Sequence, residues 1–149
     1  MKTVKVRKIE IGSGVPKICV PIVGVTKDEI IAEAKTFDSI PVDVVEWRVD
    51  WFEGVFEFDK VEDVLKDLRE ALGETPILFT FRTSKEGGEK AIEAEPYKEL
   101  NIAAAMISSF VTPTIGTQIL GTPLPISIFL TFTVFIDNFL LLSERSPEA

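Results

Sequence analysis

The chain has 149 residues, with 24 acidic against 16 basic side chains, a net charge of -8, no histidine and one cysteine. Nucleic-acid phosphates demand clustered basic patches, so this balance excludes nucleic acid as a partner while still allowing a few convergent arginines to grip a small anion. A lone cysteine forms no disulfide within the chain, which suits a reducing cytoplasm.

A chain of this length can bury one core of respectable size. Val4 to Ile11 alternates apolar and charged residues and is followed by a turn at Gly12-Ser13-Gly14. Lys17 to Val23 is then nearly all apolar, which predicts a two-sided hairpin feeding a first buried strand, with Cys19 inside it as a small buried hydrophobe. No apolar h-region follows the charged start, so no secretion signal is read and a cytoplasmic location is expected.

Thr26-Lys27-Asp28-Glu29 has the form of a capping box, and Ile30, Ile31, Ala34 and Phe37 supply the apolar stripe of the helix it opens. The plan then repeats: a strand over Val42 to Arg48, a helix capped by Asp59 with Glu62 in the reciprocal place, a stripe of Val61, Val64, Leu65 and Leu68, and a stop at Gly73. A third strand runs over Ile77 to Phe81, and Pro96 stands in the first turn of a helix continuing through Leu100 to Ala105. Strand-helix units spaced by roughly thirty residues predict an α/β fold with a parallel sheet.

Two of these strands end in charges that a buried strand does not normally carry. Ligands gather at the carboxyl ends of parallel strands. Alternation along the second strand puts Val44, Glu46, Arg48 and Asp50 on one side and Val45, Trp47 and Val49 on the other. Arg82 follows the next strand at the corresponding level, where a guanidinium can hold a carboxylate with two parallel hydrogen bonds. Each charge taken singly is equally well read as a solvated strand cap; their joint placement favours an anion pocket. Gly87-Gly88 reads as a flexible connector, since the chain lacks both the P-loop and the Rossmann glycine spacing.

These same residues carry a resemblance to the type I 3-dehydroquinate dehydratase family. It covers Met1 to about Ala105 through Lys17 to Val20, Val45-Glu46-Trp47-Arg48-Val49-Asp50, Leu78-Phe79-Thr80-Phe81-Arg82-Thr83, Lys85-Glu86-Gly87-Gly88-Glu89 and Leu100-Asn101. The resemblance implies a partial (β/α)8 barrel, with the hairpin across its bottom and about three strand-helix units. A complete barrel needs roughly 250 residues. It also implies a reaction, the loss of water from 3-dehydroquinate through a lysine Schiff base with a histidine as base and acid, using neither cofactor nor metal. Glu46, Arg48 and Arg82 would bind the substrate, and Glu86 would orient the histidine.

The departures from the family pattern bear on activity. Pro21 stands where several relatives place a serine, and the chain has neither the histidine nor the strand bearing the Schiff-base lysine. Lys85, Lys90 and Lys98 are read as solvated charges on a mobile loop or helix, among acids that raise a lysine pKa. Little or no activity is therefore expected of the chain alone. The open sheet edge left at the third strand would have to be covered by the apolar tail, by a second copy in a homodimer or by a complementing half-barrel.

From Asn101 to Ile136 no residue is charged, in contrast to the preceding hundred. The expected division is a barrel part over 1-105 and an unrelated apolar tail over 106-149, produced by a frame-shift. Ile126 to Leu142 approaches the length of a membrane span, but Asp137 inside it would cost about 2.5 to 3.5 kcal/mol, which counts against one.

Overall fold

The computed structural model describes residues 3-111 and 134-135. An antiparallel hairpin, β1 (Val4–Val6) and β2 (Ile9–Ile11), precedes the parallel strands β3 (Cys19–Ile22), β4 (Val44–Arg48) and β5 (Ile77–Thr80). Helices α1 (Lys27–Thr36), α2 (Phe58–Leu72) and α3 (Ala94–Val111) follow β3, β4 and β5 in turn. The α/β class with a parallel sheet is therefore as expected from the unit spacing. A short strand, β6 (Val134–Phe135), lies along the far edge of β5, and it runs antiparallel.

The register places Cys19, Val44 and then Val45, Ile77 side by side, and continues through Pro21, Glu46 and Leu78 to Arg48 and Thr80. Strand β4 begins two residues into its run, at Val44, whereas β5 begins with its run at Ile77 and stops one residue before Phe81. The amides of Asp43 and Val44 both donate to Ile18 O at 3.0 Å.

Alternation sorts the two sheet faces. Val45, Trp47, Val49, Ile77, Phe79 and Phe81 are fully buried with the helix residues Ile30, Leu65, Leu68 and Leu100. Trp47 meets the edge of Phe79 at a centroid distance of 5.5 Å. Burying each such side chain contributes about 1.5 to 3 kcal/mol. On the opposite face Val44 and Leu78 meet Val6 and Ile9 of the hairpin, which packs against the amino-terminal part of the sheet.

The α1 capping box is present as read. Thr26 Oγ1 accepts from the Glu29 amide at 3.3 Å, and Glu29 Oε2 accepts from the amides of Val25 and Thr26 at 2.8 and 3.1 Å. Those amides hold the Glu29 carboxyl below its ordinary pKa. The α2 cap is a correction. Glu57, extended at φ -107°, precedes the helix, and its carbonyl already accepts from Lys60 and Val61. Asp59 consequently lies inside the first turn, where its charge still complements the helix dipole. Gly73 ends α2 at φ 53°, with Arg69 Nη1 bridging Gly73 O and Thr75 O at 2.7 and 2.9 Å.

Helix α3 passes through the expected boundary at 105/106 and reaches Val111, with Pro96 in its first turn. Among the described residues no helix is long and apolar enough to cross a membrane. Apart from β6, the segment weighed as a span lies outside the described residues.

Cys19 is a second correction, being exposed where burial was expected. Among the described residues strand β3 is the edge of its sheet, so composition alone misjudges which of its residues are covered. Partial desolvation and the nearby Glu46 carboxylate raise the Cys19 thiol pKa. The folded chain should therefore alkylate completely with iodoacetamide, more slowly than free cysteine at pH 8 and faster as the pH rises. A mass-spectrometric time course checks this, and labelling that needs denaturant would contradict the edge placement.

Candidate functional site

The expected residues lie at or just beyond the carboxyl ends of β4 and β5. Glu46 and Arg48 share a face of β4. Thr80 faces Arg48 across the register, with Arg82 two residues further along β5's path. Glu46 is half-buried, whereas Arg82 is exposed. Thr80 is buried, and its hydroxyl finds no protein hydrogen-bond partner among the described residues.

Asp50 occupies the single helical turn Val49–Trp51 that terminates β4, and it is 0% exposed. Arg48 Nε donates to its Oδ1 at 2.9 Å and Arg48 Nη2 to its Oδ2 at 2.8 Å, a bidentate fork. The Arg82 amide adds a bond to Oδ1 at 3.3 Å, and the Glu89 amide one to Oδ2 at 3.2 Å. Burial pushes the Asp50 carboxyl upward, but the Arg48 fork and the two amides outweigh it and leave the pKa below its ordinary value. Arg48 is correspondingly raised, chiefly by its bonds to Asp50.

The segment from Arg82 to Lys90 is pinned, and this corrects the reading of a mobile loop. Gly88 N donates to Thr83 O at 2.8 Å and Ser84 N to Lys90 O at 2.9 Å, while Gly87 turns the chain at φ 81°. Glu86 closes a capping box on this turn, its Oε2 accepting from Thr83 N at 3.1 Å and from Thr83 Oγ1 at 2.8 Å. Lys85 and Lys98 are exposed, in keeping with surface charge.

Lys90 is a further correction. It is half-buried, and its Nζ donates to Asp50 O and Phe52 O at 2.7 and 2.9 Å. Desolvation lowers its pKa despite the neighbouring acids. Asp50 and Lys90 are the residues whose roles sequence reasoning misses. The only local signal is Asp50's place two residues after Arg48, on the same side by alternation.

The chain is thus an α/β protein in which charged residues stand at the carboxyl ends of neighbouring parallel strands, where ligands gather in such folds. Its sequence matches the family described as type I 3-dehydroquinase over residues 18-113. The chain belongs to that family. It is 49% identical over 104 residues to the 3-dehydroquinate dehydratase of Clostridium botulinum, covering 70% of this chain and 41% of that protein. The Listeria monocytogenes enzyme of the same name is 54% identical over 101 residues, covering 68% of this chain and 40% of that one.

Among solved structures, the type I 3-dehydroquinate dehydratase of Clostridium difficile, determined with covalently modified comenic acid, superposes with a TM-score of 0.68 at 47% identity, covering 73% of this chain and 42% of that one. The Enterococcus faecalis 3-dehydroquinate dehydratase gives 0.67 at 44% identity, covering 69% and 43%. The chain therefore spans about two fifths of the length of the relatives it matches.

Proposed function

We propose that this chain carries the substrate-gripping part of a cytoplasmic 3-dehydroquinate dehydratase, and that by itself it binds 3-dehydroquinate without dehydrating it. Residues 1-105, with the remainder of α3, form the opening units of a barrel, and the apolar segment beyond touches it through the pairing of β6 with β5. What supports this reading is the register that sets Glu46 and Arg48 of β4 beside Leu78 and Thr80 of β5, with Arg82 two residues beyond Thr80. The arginines attract the substrate's carboxylate and oxygens, and Glu46 accepts from its hydroxyls.

Dehydration of a β-hydroxy ketone requires removal of a proton next to the carbonyl. A lysine imine would acidify that proton, and a histidine would take it. The chain has no histidine. The amine of Lys90 is engaged with two backbone carbonyls, which leaves it poorly placed to attack a ketone. Glu86, which would orient the histidine, here caps its own turn. Turnover would then require a complementing half or a second copy docked on the free edge of β3.

The test titrates the purified chain with 3-dehydroquinate, following Trp47 and Trp51 fluorescence and the ultraviolet absorbance of the conjugated enone product. A duplicate sample is treated with borohydride and weighed. Saturable binding with neither enone nor mass gain is expected. Turnover or a reduced adduct would refute the missing chemistry, and absence of binding would refute the grip.

A further inference from the structure

Asp50 is the only fully buried charged residue among the described residues, and it does not need to meet a ligand to matter. Its two oxygens take four donors: the Nε and Nη2 of Arg48 and the amides of Arg82 and Glu89. The carboxylate thus joins the end of β4 to both ends of the segment following β5, which carries Arg82 and Glu86.

An arginine free to rotate loses side-chain freedom when it grips a ligand, a penalty that prior clamping removes. Arg48 is clamped along one edge of its guanidinium, and its side chain keeps 16% exposure. Its Nη1 makes no hydrogen bond among the described residues. Fork geometry also fixes the guanidinium plane, which one charge contact to a lysine could not do.

We propose that Asp50 is a positioning residue: by forking Arg48 against the pinned segment, it sets the direction in which Arg48 meets the substrate. This rests on the substrate-binding role given to Arg48 under the proposed function. Asp50 acts through Arg48 and touches no reacting atom.

The test measures affinity for 3-dehydroquinate by fluorescence, together with the NMR signal of Arg48 Nε–H, in the wild type and three variants. In Asp50→Asn the resonance broadens through solvent exchange and affinity falls roughly tenfold to a hundredfold, the usual range for a supporting partner. Lys90→Met loosens the same segment while leaving the fork intact; it keeps the resonance and an affinity within about twofold. Arg48→Lys retains the charge but not the plane and falls as far as Asp50→Asn; this variant decides the question if Asp50→Asn does not fold.

Undiminished affinity in folded Asp50→Asn or in Arg48→Lys would overturn the assignment, as would an equal loss in Lys90→Met, which would mark Asp50 as a tether of the segment only. A wild-type chain that binds no 3-dehydroquinate would remove the underlying reading as well. Binding by the wild type combined with indifference to Asp50→Asn would remove the positioning role alone.

Discussion

Asp50→Ala is expected to destabilise the chain by about 3 kcal/mol, the low end of the range for deleting one partner of a buried ion pair. Three effects add: Arg48 loses both bonds of its fork, and the amides of Arg82 and Glu89 each lose their acceptor. The residual access of Arg48 to water keeps the effect from the top of the range. Asparagine at the same position is milder, because one oxygen still accepts. The midpoint of urea unfolding, taken at constant slope, reads the difference.

The same carboxylate makes stability depend on pH in a definite direction. The Asp50 pKa is lower in the folded chain than its ordinary value. The unfolded chain therefore binds the proton more readily. The stabilisation is complete above the unfolded value, about 3.9, and is lost as the pH falls through the folded value. Wild type should accordingly lose stability more steeply than Asp50→Ala below about pH 4. Parallel curves for the two proteins would show that Asp50 is not the titrating group.

Gly88→Ala should be the most damaging small substitution in the pinned segment. A Cβ built there would lie 1.9 Å from Arg82 O, 2.5 Å from Arg82 C and 3.0 Å from Thr83 O. These are backbone atoms and cannot swing aside as a flexible side chain would. The segment must open, giving up the bond from Gly88 N to Thr83 O and drawing the Glu89 amide away from Asp50. A loss of about 3 kcal/mol is expected, the upper end for an overpacked site.

The neighbouring glycine supplies the comparison. Gly87 sits at φ 81° with open space around a built Cβ, so Gly87→Ala meets conformational strain without collision. That strain is about 1 to 2 kcal/mol. Unfolding midpoints for both variants, with amide exchange at Ser84 and Glu89, test the order. Gly87→Ala proving the more harmful would mean that the close approach of Arg82 to Gly88 is not what holds the segment.

Residues within a few positions of one another make much of the fold legible beforehand. Thr26 and Glu29 announce the start of α1 because a capping box is a matter of four consecutive residues. Val61, Val64, Leu65 and Leu68 announce the buried face of α2 through helical period alone. The same alternation along Val45 to Arg48 separates the helix-facing side chains from the polar side that holds Glu46 and Arg48. Asp59 misleads because the carbonyl of Glu57 opens the ladder before the better side-chain cap is reached.

By itself, then, the sequence determined the α/β class, the strand-helix order, the family, and the charged side chains at the strand ends. Periodicity, caps and ungapped motifs are all local in the chain. Tertiary structure alone decided that Cys19 lies on an exposed edge, that Lys90 is desolvated beneath two carbonyls, and that the Glu89 amide closes on the Asp50 carboxylate. The first depends on which strand ends a sheet. The others depend on contacts between residues 38 to 40 positions apart, and no local pattern encodes the meeting of such distant groups.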